Sequence, residues 1–149
     1  MNENKAAVRL ADLTFSLLAR CQEKETWLAE EHGLSHSEFK CLRPFNVDEI
    51  VNNKKIAANM NLSPSRLTRI IDGLVKKGYM NREIDPNDRR NMKVYLTTRG
   101  KALTNKLNKA FIDFHFDILQ DIDVSQHEPL ITGMGHLNLA VEKWLEKPK

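Results

Sequence analysis

The stretch Ser63-Pro64-Ser65-Arg66-Leu67-Thr68-Arg69 concentrates the groups of this chain best suited to chemistry with a polyanion. The hydroxyls of Ser65 and Thr68 can bond phosphate oxygens or base edges, and the guanidinium groups of Arg66 and Arg69 can reach phosphate or guanine. Lys76 adds a point charge further along. Arg89 and Arg90 form a second cationic group, suited to a narrow minor groove with its enhanced negative potential. This is binding chemistry. The chain has no P-loop, no G-x-S-x-G, no H-E-x-x-H and no dinucleotide fingerprint. No nucleophile stands at a readable spacing from a base, so no catalytic residue, cofactor or metal site is expected. His32 and His36 are four apart, as paired ligands would be, but Gly33 and Leu34 put a helix break between them.

These residues need elements to hold them. A short helix is expected from Asn53 to about Met60, capped by Asn52, with Ile56, Ala57 and Met60 facing inward. Asn61 can take the sharp corner that follows, because asparagine tolerates positive φ. Ser63 and Pro64 then open a second helix as N-cap and first helical residue. Leu67, Ile70, Ile71 and Leu74 mark its buried face, and Gly78 ends it. A solvated face on an ordinary helix would carry the same polar residues, so the segment that follows decides. Met80, Arg82 and Ile84 alternate with Asn81 and Glu83, and Met92, Val94 and Leu96 alternate with Lys93 and Tyr95, as half-buried strands do. Asp85-Pro86-Asn87-Asp88 between them has the residue order of a type I turn. The pair is expected to be a hairpin with Arg89 and Arg90 at its tip, beside a helix-turn-helix whose second helix enters the major groove.

At this point the residues resemble a family. IAANMNLSPSRLTRIIDGLVKKGYMNRE, the acidic-arginine segment DPNDRR and VYLTTRG together are similar to the winged helix of the multiple antibiotic resistance regulator (MarR) family. The resemblance implies a mainly α fold with a small β-hairpin wing, a winged helix-turn-helix with flanking dimerisation helices. It implies a homodimer on a palindromic double-stranded operator, and repression relieved by a small effector. It points to Ser63, Pro64, Ser65, Thr68 and Arg69 for the major groove, to Arg89 or Arg90 for the minor groove, and to Asp85 or Asp88 bracing the tip. Two departures stand out. Lys55 occupies a position where the family often has glutamate, which removes a capping box, and Pro44 shortens the preceding helix.

Charge supports the same division of labour. From Ile50 to Lys101 there are 12 Lys or Arg against 4 Asp or Glu, while the whole chain carries only +3. The basic stretch is the footprint expected of a polyanion-binding lobe. A protein-interaction adapter on the same scaffold is the rival reading, but it has no need of a lone cationic tip. Nothing in the 149 residues approaches the ~18 consecutive apolar residues of a membrane span, and MNENKAAVRL lacks the apolar region of a signal peptide. A cytoplasmic protein without a membrane partner is expected.

The flanks read as long amphipathic helices. From about Asn4 to Glu31, Leu10, Leu13, Leu17, Leu18, Cys21 and Leu28 share one stripe with Trp27 beside it. Ser35 and Glu38 form a capping box for a helix with Phe39, Leu42 and Phe45 inside. Asn46 to Val51 reads as a loop. After Thr97 or Thr98, a helix to about Asp121 carries Leu103, Leu107, Ala110, Phe111, Phe114 and Ile118. A second capping box, Ser125 with Glu128, is expected to open the last helix, which carries Leu130, Met134, Leu137, Val141, Trp144 and Leu145. Stripes of this length imply a second core, most simply completed by another copy of the chain. The expected organisation is one domain over 1–149, with 35–100 as the DNA-binding lobe and 1–32 and 101–149 as the dimerisation region. The family resemblance places an effector between lobe and dimer helices, which here points to Trp27, His36, Arg43 and Phe45 and to a small aromatic or anionic ligand. Cys21 and Cys41 form no metal or disulfide motif; whether either senses redox is left open by the sequence.

Overall fold

The computed structural model describes residues 2–149. In chain order the elements are α1 (Glu3–Glu31), α2 (His36–Leu42), β1 (Ile50–Asn52), α3 (Asn53–Met60), α4 (Pro64–Lys76), β2 (Met80–Asp85), β3 (Asp88–Leu96), α5 (Thr98–Gln120), a 3₁₀ turn (Val124–Gln126) and α6 (His127–Glu146). They divide into two compact units, one ending at Lys109 and the other covering Ala110–Lys149. The fold is a mainly helical winged helix, as the sequence leads one to expect.

In the first unit, local chemistry sets most boundaries. Asn2 caps α1 by accepting from Lys5 N–H (2.8 Å). Gly33, at φ +70°, makes the corner that ends it. The Ser35–Glu38 capping box forms in both directions: Ser35 Oγ accepts from Glu38 N–H, and Glu38 Oε1 accepts from Ser35 N–H. Glu38 is buried and is also bonded by Lys77 Nζ (2.6 Å), which donates in addition to the Gly33 carbonyl. Gly73 leaves room for that carboxylate, since a Cβ there would lie 2.6 Å from Glu38 Oε2. The end of α4 is thereby tied to the α1–α2 corner by an ion pair as well as by packing. Fully buried Phe39, Leu42, Leu67, Ile71, Leu74, Val94 and Leu107 make the core of this unit. Each contributes roughly 1.5–3 kcal/mol by leaving water.

The helix-turn-helix follows the expected residues closely. Asn52 caps α3 through Lys54 N–H, Asn61 sits at φ 53° in the left-handed region, and Ser63 caps α4 with Pro64 in its first turn. Gly78 stands just past α4 at φ +81°.

The sheet differs from a plain hairpin. It has three antiparallel strands in the order β1-β3-β2. β1 begins inside the stretch Asn46 to Val51 that reads as loop and runs on to Asn52, the cap of α3. It is too short to show an alternating pattern, and its pairing with Tyr95, Val94 and Lys93 of β3 is a purely tertiary fact. The β2–β3 register runs regularly from Met80↔Leu96 to Ile84↔Met92, then shifts to Asp85↔Asp88. The turn itself is Pro86–Asn87, so Arg89 and Arg90 lie on the first residues of β3 and not at the tip. Ile84 is half exposed, so the inward alternation of β2 stops before the turn.

α5 begins where Thr97 Oγ1 accepts from Gly100 N–H (3.0 Å). Gly100 is required there: a Cβ would overlap the Tyr79 carbonyl oxygen. In the second unit, the expected Ser125–Glu128 capping box does not form. Ser125 is taken up by the 3₁₀ turn, where Asp123 Oδ1 accepts from its N–H, while Glu128 lies in the first turn of α6, which opens at His127 behind Gln126 without a side-chain cap. The His127 ring instead reaches the Leu119 and Ile122 carbonyls near the end of α5 (2.9 Å each).

Candidate nucleic-acid interface

A groove of about 460 Å³ opens between α3, the start of α4 and the wing. Pro64, Ser65 and Thr68 line it from α4, and Arg89 and Arg90 line it from β3. Two groups that lie far apart in sequence thus share one surface. The hydroxyls here are already oriented. Thr68 Oγ1 donates to the Pro64 carbonyl (2.9 Å), which leaves its lone pairs outward as acceptors. Ser63 Oγ accepts from Arg66 N–H (3.4 Å) and lies 3.3 Å from Ser65 Oγ. Arg66 and Arg69 are exposed on α4 outside the groove lining. Lys76 is exposed in the last turn of the same helix, about 16 Å along its axis from Ser65 at 1.5 Å per residue.

The cations of the basic stretch fall into two sets. Arg82 is ion-paired to Asp72, Lys55 to Glu49 (3.9 Å), Lys101 to Asp48 (3.1 Å) and Lys77 to Glu38. Lys54, Arg66, Arg69, Lys76, Arg89 and Arg90 form no ion pair among the described residues. Lys93 on β3 and Arg99 on α5, the latter over the Tyr79 ring, form none either. Around the groove, the unpaired cations lie on α4, the wing and the rim of α3, where a polyanion would supply the missing charge. Lys54 lines the groove and had no signal in the sequence beyond its charge. Arg82 was legible only as an inward strand residue. Its partner Asp72 makes it a brace between β2 and α4, across the floor of the groove. Both aspartates of the turn fold back on it: Asp85 Oδ1 accepts from Asn87 N–H (2.9 Å), and Asp88 Oδ1 accepts from Arg90 N–H (3.1 Å).

The four residues considered for an effector lie in the first unit. Trp27 is half exposed on α1, and Arg43 is exposed at the end of α2. His36 opens α2 with Nε2 out of contact with solvent and 3.7 Å from Glu25 Oε2. Phe45 is buried and lines a small groove of about 150 Å³ with Lys40, Pro44 and Met60; Trp27, His36 and Arg43 do not line it. His36 and Arg43 stand at opposite ends of α2, about 10 Å apart along its axis. His32 has an internal partner, the Leu28 carbonyl, 2.9 Å from Nδ1. Burial, reinforced by the nearby Glu38 charge, pushes the Cys41 thiol up to about 12, so it is protonated and unreactive at neutral pH.

Comparison with known proteins bears on this geometry. The family model described as the MarR family matches residues 34–92. The HTH-type transcriptional regulator SarZ of Staphylococcus saprophyticus is 31% identical over 108 residues, covering 70% of this chain and 74% of SarZ. This chain belongs to the MarR family. It is a DNA-binding transcription regulator of the winged-helix type, and the adapter reading gives way to this one. Family members are transcription regulators, not enzymes. SarZ of Staphylococcus haemolyticus is similar at 29% identity over 117 residues, covering 77% of each chain. Among solved structures, apo wild-type MarR from E. coli has the same fold, with a TM-score of 0.74 at 21% identity over 86% of this chain and 95% of that one. A mutant MarR from E. coli complexed with operator DNA gives a TM-score of 0.69 at 20% identity, over 92% of this chain and 99% of that one. No helix of the described residues is long and apolar enough to cross a membrane.

Proposed function

We propose that the protein acts as a homodimer on a palindromic double-stranded operator, represses transcription there, and is released by a small effector. One observation carries the assignment of the contact residues: Pro64, Ser65, Thr68, Arg89 and Arg90 surround one groove, and of its lining cations Arg82 alone is ion-paired among the described residues, which leaves Lys54, Arg89 and Arg90 for a polyanion. In this reading Ser65, Arg66, Thr68 and Arg69 read the major groove, with Ser63 and Pro64 setting the start of the helix. Arg89 and Arg90 enter the minor groove, and Lys76 holds phosphate. The test is a gel shift with DNA upstream of the protein's own gene, followed by Arg69→Ala. Loss of ~1–3 kcal/mol with relaxed preference at one base pair per half-site is expected of a base contact. Lys76→Ala should weaken all sequences about equally. If the wild-type protein retards no fragment and selects no sequence from a random pool, the operator assignment fails.

A dimer is supported by the apolar residues that α1 and α6 leave in solvent. Two copies would set their α4 helices about one DNA turn apart, ~34 Å. An effector that changes this spacing must weaken DNA binding by the same factor as DNA weakens effector binding. Trp27, His36, Arg43 and Phe45 remain the candidates for holding a small aromatic or anionic molecule. Calorimetric titration of salicylate with and without operator tests this. Equal affinity in both conditions rules out spacing control by that ligand, and unchanged affinity in His36→Ala and Arg43→Ala removes those residues from the site.

A further inference from the structure

The β1–β3 ladder reaches its last pair at Asn52↔Lys93. One position further the chain has turned into α3, with Asn53 as its first residue. The main chain there can no longer continue the ladder. The Asn53 side chain does so in its place: Nδ2 donates to the Arg90 carbonyl (3.0 Å), and Oδ1 accepts from the Met92 N–H (3.2 Å). A primary amide carries the same donor and acceptor as a peptide group, so it can stand in for one more strand residue. Asn53 is 6% exposed, and water cannot readily replace it. The other edge of β3 has lost its neighbour at the same place. The register shift between Ile84 and Asp85 leaves Arg89, Arg90 and Asn91 without partners on β2. The Arg90 backbone is therefore held by side chains at both ends, Asp88 on its N–H and Asn53 on its carbonyl. Asn52 adds a bond from Nδ2 to Asn91 Oδ1.

We propose that Asn53 is the positioning residue of the wing. By gripping the Arg90 carbonyl and the Met92 N–H, it sets the direction in which Arg90 leaves β3 toward the groove. This rests on the reading of Arg90 as a DNA contact. It also couples the wing directly to the first turn of α3, so that wing and helix-turn-helix meet DNA as one body.

The test uses the full-length protein in two arms. Without DNA, Asn53→Ala should speed amide exchange at Met92 by about 10-fold or more, as loss of a local protecting bond does, while Leu67 and Ile71 in α4 exchange as before. Asn53→Asp keeps the acceptor for the Met92 N–H but sets an oxygen against the Arg90 carbonyl, so it should keep more protection at Met92 than Asn53→Ala while weakening DNA binding at least as much, which separates the two halves of the tether. Unchanged exchange at Met92 in Asn53→Ala overturns the proposal. With a duplex selected by the wild-type protein from random-sequence DNA, Asn53→Ala should weaken binding roughly 3–10-fold and lower its salt dependence, the size expected of one lost phosphate or groove contact. In an Arg90→Ala background it should have no further effect. An equal, additive loss in that background makes Asn53 a general structural residue and overturns the positioning role. If Arg90→Ala itself binds like wild type, the wing contact proposed above is what has failed, and the positioning role falls with it. The exchange arm then still reports whether Asn53 holds the strand.

Discussion

Phe39, Leu42, Leu67, Ile71 and Leu74 of the first unit are fully buried by their own chain, whereas α6 of the second unit has no buried residue. Leu130, Ile131, Met134, Leu139, Val141, Trp144 and Leu145 of α6 are all exposed, and so are Val8, Leu13, Phe15 and Leu18 of α1. The lobe is a finished structure with an unfinished electrostatic surface: its core is closed, but Arg66, Arg69, Arg89 and Arg90 have no ion-pair partner among the described residues. The long helices are the reverse, with ordinary mixed charge and an unfinished apolar surface. Each region is incomplete in the currency of its own partner. DNA supplies the charge that completes the first, and in the proposed homodimer apolar surface of a second copy would complete the second, since large exposed apolar patches mark interaction sites in soluble proteins.

The largest effect that would break this contrast is in α6. Trp144→Asp puts a charge on a face expected to be covered, and should abolish dimer formation and unfold most of the protein. Sedimentation should show twice the 17.2 kDa chain mass for wild type. A variant that sediments with wild type would mean that this face is never covered. In the lobe, Gly100→Ala drives a methyl into the Tyr79 carbonyl oxygen, a backbone atom that cannot swing aside. It should cost about 3 kcal/mol by urea unfolding, in the range of overpacked cores. A cost near zero would mean that the start of α5 is looser than a closed core implies. The smallest effect concerns Cys41. Its folded value of about 12 lies above the ordinary 9.0, so its stabilising contribution is complete below pH 9 and is lost progressively toward pH 12, as the unfolded thiol ionises first. Between pH 9 and pH 10 the wild type should lose about 1 kcal/mol relative to Cys41→Ala. Parallel pH profiles would show that solvent reaches the thiol, and that the lobe is less closed than described.

Much of the lobe was readable because its signals are local. Asn61 at positive φ, the Ser63–Pro64 start, the Ser35–Glu38 box and the Gly78 stop each depend on residues within one turn of one another. The Ser125–Glu128 box is the instructive failure. The same spacing was present, but Asp123 competed for the turn and a 3₁₀ segment formed in its place. The position of Arg89 and Arg90 on β3 also escaped, because a turn motif gives the place of the corner but not the register of the strands that leave it.

By itself, then, the sequence determined the helices and the two wing strands, the caps of α2, α3 and α4, the concentration of positive charge between Ile50 and Lys101 and the residues available to contact DNA, because these depend on side-chain identity and short-range backbone geometry. Only the tertiary structure decided that Ile50–Asn52 is a strand, that Arg82 is spent on Asp72 and Lys77 on Glu38, and that Asn53 takes up the ladder where β1 stops. Each of those joins residues ten or more positions apart. No residue announces such a partner in its own type or spacing, because the partner is chosen by which surfaces the packed core brings together.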